Sequence, residues 1–460
     1  MMSEMDKLKG LIEQAIDYGE KKCDAIIARG VSNKDSQIRF SQNSIDISKR
    51  WNSLQLQLFV VVKGQKTGST DRPVSTMSDV KKAIDDVITY TEILPDSMFF
   101  AGIEDKMSSY PKIKGQYDDN IEEFSEKAPG VINSVIDHAV EEGAMRVAGA
   151  LMLRNEHVFF KSSQGPKGSE KNTAFDLNVR AFQDELDYSG QGLVCGAIPS
   201  KAEKQMVDAG KKAGYLSKQA IGAVQGTPGT YDLILSPTVA ADVIGQIPTQ
   251  ANPFLIMMGM SPLKDRIGEQ IAPDFVTAYE DPLFEGGLGS TSFDWEGTPS
   301  KTITVIENGI LKTLVHNTTT ARMFDTESTG SSRLARMFMG MKMLLPGPSN
   351  IIFENGDQNF DELADVTRPT IYVTCNWYSR FQNYQVGDFS TIPRDAMFIV
   401  KKGEMTPIKN MRISDNTMRM MANIDALGKD RTQVFWWEVR TPTFIPTMRI
   451  RDCRMTAATQ

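Results

Sequence analysis

The segment Tyr231-Asp-Leu-Ile-Leu-Ser-Pro-Thr-Val-Ala-Ala-Asp-Val-Ile-Gly-Gln-Ile-Pro-Thr-Gln250 decides how this chain is read. An apolar run ends at Ser236-Pro237, and a short helical stretch follows. Pro248 sits inside that stretch. It has no N–H to donate and its ring crowds the carbonyl of Ile244, so the helix must kink or break there. No His, Cys or Glu occurs between Ala240 and Gly259. Gly245 has no side chain, and Gln246 and Gln250 are neutral amides, poor as zinc ligands and as bases.

Composition narrows the class. The 460 residues are enough for two or three domains of roughly 150–200 residues each. Hydrophobic residues make up 40% and charged residues 24%, an ordinary globular balance. A net charge of −7 and a pI near 5.3 argue against a nucleic-acid or anionic-membrane partner, because counterion release needs a basic surface. No apolar run reaches the length of about 18 residues that a spanning helix needs. The polar start Met-Met-Ser-Glu-Met-Asp-Lys is unlike a signal peptide. Cys23, Cys195, Cys375 and Cys453 are far apart, which fits a reduced cytoplasmic setting without structural zinc. His138, His157 and His316 each stand alone.

The first half reads as a module used twice. Leu8, Leu11, Ile12, Ala15 and Ile16 have helical spacing. Strands are expected at Asp24–Arg29, Gln37–Phe40 and Ile45–Ser48, then where Leu54, Leu56, Leu58, Val60 and Val62 alternate. A helix follows Ser78. The order recurs with a helix over Glu122–Glu142 and strands at Arg146–Leu153, His157–Phe160 and Ala174–Phe182. A helix over Ser200–Gln219 closes the unit. The small residues and Pro-Gly of Gly222–Gly229 suit a linker. Beyond it hairpins are expected at Asn308-Gly309 and at Gly403, with a β-rich run at Phe435–Arg440. The expected fold class is α+β: an N-terminal α/β domain with an internal pseudo-repeat (1–221), then a β-rich C-terminal domain (222–460).

Several segments carry a resemblance together. Phe293-Asp-Trp-Glu-Gly-Thr-Pro resembles a D-x-E-G-x-P hairpin. Thr320-Ala-Arg with Ser328-Thr-Gly resembles a T-A-R…S-T-G segment. Tyr384-Gln-Val-Gly-Asp-Phe-Ser and Leu427-Gly-Lys sit where T-G-D-F-S and C-G-K stand in the TldD/PmbA metalloprotease family. In active members the segment quoted first carries HExxxH. Setting Ser236-Pro237 on the family's strand end places that motif on Gly245, Gln246 and Gln250. The family's third ligand, the cysteine of C-G-K, falls on Leu427. The resemblance thus implies that both imidazoles, the third ligand and the base are all replaced.

Other constellations have plainer readings. Cys375 suits a small buried hydrophobe. His316 suits a hydrogen-bonded core or surface histidine. Asp294 and Glu296 could share a strand face as a carboxylate pair, although Gly297 and Pro299 favour a turn. The glycines of Glu285–Thr291 have no lysine or helix after them to cradle phosphate. Met337, Met339, Met341 and Met343 fit core filling first and an adaptable partner surface second. Arg380, Tyr384 and Asp388 are the candidates for a substrate or dimer cavity.

The chain most resembles the TldE/PmbA side of the family, the subunit lacking HExxxH. The resemblance implies a dimer with a TldD-type paralogue or with itself. It also implies an unfolded peptide as substrate, no cofactor of its own, and zinc only in the partner. The alternatives are an active hydrolase with a relocated site on Cys375, His316 or Asp294/Glu296, and a homodimeric peptide-binding protein.

Overall fold

The structure, a computed structural model, describes residues 4–185, 188–336 and 342–458. Met337, Met339 and Met341 of the methionine stretch lie outside the described residues; Met343 is in strand Lys342–Pro346.

The repeat in the sequence is a repeat in space. Helix α1 (Glu4–Gly19), strands β1 (Ala25–Ser41), β2 (Ser44–Val62) and β3 (Lys66–Pro73), and helix α2 (Met77–Ile93) form one unit. Helix α3 (Ile121–Glu141), strands β4 (Arg146–Ser162), β5 (Lys167–Phe182) and β6 (Ser189–Gly196), and helix α4 (Glu203–Gln219) form the second. The two meanders join antiparallel through β1 and β4, giving one sheet in the order β3-β2-β1-β4-β5-β6. No βαβ crossover is involved, so mixed α+β describes this half as well as the whole.

Period-two alternation explains which face goes where. Ile26, Ala28, Leu56, Leu58 and Val60 pack under Leu8, Ile12, Ile16, Val80 and Ile84 of α1 and α2. Ile38, Phe40, Leu151, Leu153 and Leu177 do the same under α3 and α4. All four helices therefore cover one face. Each fully buried Leu or Ile contributes about 1.5–3 kcal/mol. On the opposite face Ile27, Phe59, Val61 and Phe160 meet Phe293, Trp295 and Leu344 from the second half of the chain.

The strands are longer than the sequence suggests. Two expected strands merge into β1 and two into β2, with unbroken pairing from Ala25↔Val61 to Ser41↔Ser44 apart from one bulge at Arg39/Phe40. The polar middle Ser32–Ser36 stays in the ladder because its main-chain groups find partners on β2 and β4, whatever the side-chain propensity.

In the second half a ten-stranded sheet places Gly229–Leu235 at its centre. It lies between Met448–Ala457, antiparallel, and Thr370–Val373, parallel. Strand Asn376–Asn383 forms one edge. The two expected hairpins are present. Asn308 and Gly309 have φ of 49° and 77°, and Lys402 and Gly403 have 48° and 78°, the left-handed pair of a type I′ turn. Phe435–Arg440 differs from expectation. The strand ends at Val434, and Trp436 and Val439 exchange backbone hydrogen bonds of 3.1 Å in a tight turn. Trp436 and Val439 enter the core, so local pairing within the turn replaces a ladder. Among the described residues no helix is long and apolar enough to cross a membrane.

Candidate functional site

Strand Gly229–Leu235 delivers the opening segment into the core. Pro237 begins helix α5 (Pro237–Val243), where a missing N–H costs nothing. Val239, Ala240, Ala241 and Val243 are all buried. The helix breaks at Ile244-Gly245 and restarts as α6 (Gln246–Thr249). The break lies ahead of Pro248, which occupies the first turn of α6, where orphan N–H groups are normal. The Gly245 N–H donates to the Ala240 carbonyl at 2.9 Å, one residue beyond helical register. A Cβ at Gly245 would lie 2.5 Å from the Ala241 oxygen and 2.9 Å from Thr443 Cγ2, so any larger residue there must displace backbone.

The break opens a cleft of ≈ 400 Å³. Gly245, Gln246 and Gln250 line one side, and Ser379, Phe381 and Tyr384 another. The Glu438–Thr441 turn completes it. Asp242 stands at the base, 1% exposed. Its Oδ1 accepts from Gln246 Nε2 at 2.9 Å, and its Oδ2 accepts from Asn376 Nδ2 and Ser379 Oγ. Burial pushes its carboxyl up to about 6, Glu438 adds to the rise, and the Ser379 and Asn376 hydrogen bonds oppose it. The Gln250 Oε1 is buried and accepts no hydrogen bond among the described residues.

A strained residue shapes the far side. Tyr378 has φ of 55° within a bulge of strand Asn376–Asn383, and its N–H donates to Glu438 Oε1 at 2.6 Å. The bulge turns Ser379 onto Asp242. Asp242 was not among the candidates read from the sequence. Its only signal is a lone carboxylate within the apolar run Val239–Ile244.

The other candidates scatter. Tyr384 lines the cleft, stacked on Phe381 at 4.9 Å between ring centroids. Arg380 is exposed, donates to the Ser379 carbonyl at 2.7 Å and lies over the Tyr378 ring. Asp388 is exposed and accepts from Asn416 Nδ2 at 2.8 Å. Neither Arg380 nor Asp388 lines the cleft. Leu427 pairs with Met448 and is 4% exposed, inside the main core. Cys375 is buried, donates to Gln191 Oε1 at 2.5 Å, and burial pushes its thiol up. His316 lies edge-on to Phe324 at 5.9 Å, and burial lowers its pKa.

Asp294 organises its turn. It accepts from the Glu296 and Thr298 N–H groups and from Ser332 N–H, each at 2.9 Å. Burial raises both Asp294 and Glu296, and Asp294 raises Glu296 further. Both side chains are buried, and neither lines the cleft.

A catalytic zinc needs three protein donors and one open position. Gly245, Gln246, Gln250 and Leu427 supply none. Gln246 is tied back to Asp242, and Leu427 is in the core. Among the described residues no group of three His, Cys, Asp or Glu side chains is placed to hold a metal. The donor set at this cleft does not fit zinc.

A family model described as the PmbA/TldA metallopeptidase C-terminal domain matches residues 228–457. A metalloprotease of Methanocaldococcus jannaschii is 31% identical over 208 residues, 44% of this chain and 44% of that protein. A metalloprotease of Methanothermobacter thermautotrophicus is 28% identical over 299 residues, 62% of this chain and 64% of that protein. The matched region thus spans less than two-thirds of the length of these relatives. The crystal structure of TldE from Thermococcus kodakarensis superposes with a TM-score of 0.83 at 18% identity, covering 97% of this chain and 100% of that one. That likeness shows the shared fold. With half of its length matched by the family's C-terminal domain, the chain belongs to the PmbA/TldD family.

Proposed function

We propose that this chain is a TldE/PmbA-type, non-catalytic subunit of a two-subunit peptidase acting on unfolded peptides in the cytoplasm. A TldD-type paralogue carrying HExxxH would supply the zinc and the base. The observation that carries this reading is the cleft at residues 242–250. The resemblance sets the catalytic motif on Gly245, Gln246 and Gln250, which line a cavity beside an edge strand and offer neither imidazole nor carboxylate.

An extended peptide can add to the exposed edge Asn376–Asn383 by β-augmentation and direct alternate side chains toward Tyr384 and Gln250. Residues 1–221 would act as the scaffold and 222–460 as the substrate-facing domain. Exposed Tyr378, Tyr384, Val386 and Trp437 suit a dimer or peptide contact, so a homodimeric peptide-binding protein is the second reading. A hydrolase built on Cys375 has little support, because a buried thiol with a raised pKa is a poor nucleophile.

The test combines the purified chain, its HExxxH paralogue and a fluorescein-labelled unfolded casein. Cleavage is expected only from the mixture and is abolished by chelator. Chelator-sensitive cleavage by this chain alone would overturn the reading. A stable monomer that recovers no paralogue would remove the two-subunit assembly.

A further inference from the structure

The sheet face turned away from the four helices is apolar where it meets Phe293 and Trp295, then becomes polar. Arg29 of β1 lies opposite Gln57 and Phe160. Arg154 and Glu156 share a face with Phe160, because positions two apart on a strand point the same way. This polar region floors a cavity of ≈ 650 Å³. Arg333 from strand Ser332–Arg336 and Arg440 from the cleft's own turn form its other walls.

Four guanidinium groups line this cavity against two carboxylates, Glu156 and Glu170. Glu170 is already engaged. It accepts from Thr291 Oγ1 at 2.9 Å, from Ser292 N–H at 3.2 Å and from Gln116 Nε2 at 3.2 Å. Arg154 pairs with Asp176 at 2.7 Å. Among the described residues no carboxylate lies within ion-pair distance of Arg29, Arg333 or Arg440. Arg333 is nonetheless held in place, donating to the Ser332 carbonyl at 3.0 Å and to Ser349 Oγ. Arg333 also feels the buried carboxyls of Glu280 and Asp294, whereas half-buried Arg29 and exposed Arg440 have no ion-pair partner among the described residues, and guanidinium groups so placed can take a carboxylate in a bidentate fork.

Arg440 and Thr441 line both this cavity and the 242–250 cleft. The two spaces therefore share a wall and lie side by side. A net charge of −7 opposes a polyanion such as nucleic acid, while Arg29 and Arg440, beside Arg333, match one or two carboxylates.

We propose that this cavity is an acid-selecting subsite in which Arg29, Arg333 and Arg440 take a carboxylate of an unfolded peptide lying in the adjoining cleft. The carboxylate is an Asp or Glu side chain or the peptide's C-terminus. The proposal rests on the peptide reading above and adds a substrate class to it.

Fluorescence anisotropy with the full chain, assembled with its paralogue where the two copurify, tests it. Three labelled unstructured peptides of about 15 residues serve as probes: a neutral C-terminal amide, the same amide with two internal Glu, and the neutral sequence with a free C-terminus. At about 50 mM salt at least one carboxylate peptide is expected to bind about ten-fold tighter than the neutral one. Which of the two does so identifies the source of the carboxylate. Arg29→Gln and Arg333→Gln should each erase most of that preference. Arg29→Lys should keep much of it, and Arg72→Gln, remote from the cavity, should keep all of it. Unchanged melting temperatures establish that the variants fold, and Arg29→Lys reports on charge if a Gln variant does not.

Equal binding of neutral and carboxylate peptides would overturn this subsite and leave the peptide reading intact. So would a preference that survives both Arg→Gln changes. Displacement of the acidic peptide by a single-stranded oligonucleotide at lower concentration than by unlabelled acidic peptide would reassign the cavity to nucleic acid. Binding of none of the three would overturn both readings.

Discussion

The Gln246 amide donates to the Asp242 carboxylate one turn earlier, Nε2 to Oδ1 at 2.9 Å. The Gln246 side chain is thereby turned back across the helix break onto α5. Asp242, in turn, holds Asn376 and Ser379 across the cleft. A buried carboxylate thus fixes the shape of the site without being offered to a metal.

Restoring the motif should fail. In the variant carrying Gly245→His, Gln246→Glu and Gln250→His, the new Cβ at 245 must displace the Ala241 carbonyl, 2.5 Å away. A loss of about 1–3 kcal/mol in stability is expected from overpacking alone, with no stoichiometric zinc by elemental analysis. One tightly held zinc per chain with chelator-sensitive peptidase activity would show that the site tolerates the ligands after all.

The stability of the protein should carry the titration of Asp242. Its folded pKa of about 6 lies above the ordinary 3.8. Between these values the folded state binds more protons than the unfolded state, so stability falls as pH rises. The displacement corresponds to about 3 kcal/mol. Relative to Asp242→Asn, the wild type should lose most of that amount, about 2 kcal/mol, between pH 4 and pH 7 in denaturant melts. A pH-independent difference would refute the assignment.

Of the residues near the edge strand, only Tyr384 should matter to a peptide. Tyr384→Ala removes a ring stacked on Phe381 inside the cleft and should weaken peptide binding by about 1–2 kcal/mol, read by anisotropy. Arg380→Ala and Asp388→Ala, whose side chains sit outside the cleft, should stay within about 0.5 kcal/mol of wild type. The reverse order would move the binding surface to the outer side of the strand.

Cys375 should be inert in the folded protein. It is 1% exposed and burial raises its thiol pKa, so iodoacetamide should label it only after unfolding, while half-buried Cys23 sets the native rate. Native-state alkylation of Cys375 at the rate of a free thiol, located by peptide mass mapping, would reopen the case for a reactive cysteine.

The Asn308-Gly309 turn should tolerate little. A Cβ on Gly309 would come within 2.1 Å of the Ala272 carbonyl at a φ of 77°. Gly309→Ala should therefore cost more than about 1 kcal/mol by chemical denaturation. A neutral result would show that this turn relaxes freely.

What the sequence by itself determined is local. Period-two runs such as Leu54–Val62 marked sheet faces, helical spacing marked α1 to α4, and Asn308-Gly309 and Gly403 marked turns, because each signal lies within a few residues. That Gly245 and Leu427 carry no donor atom, and Gln246 and Gln250 only neutral amides, was equally plain, since side-chain chemistry needs no fold. Tertiary structure decided the rest. It joined two meanders through β1 and β4 and carried the polar Ser32–Ser36 stretch along in the ladder. It turned Phe435–Arg440 into one wall of the cleft instead of a strand, and sent Leu427 to the core while Tyr384 reached the cavity. It also brought Arg29, Arg333 and Arg440, from three distant parts of the chain, around one space. These outcomes depend on which surfaces meet when the halves pack, and contacts between residues hundreds of positions apart leave no periodic trace in a single sequence.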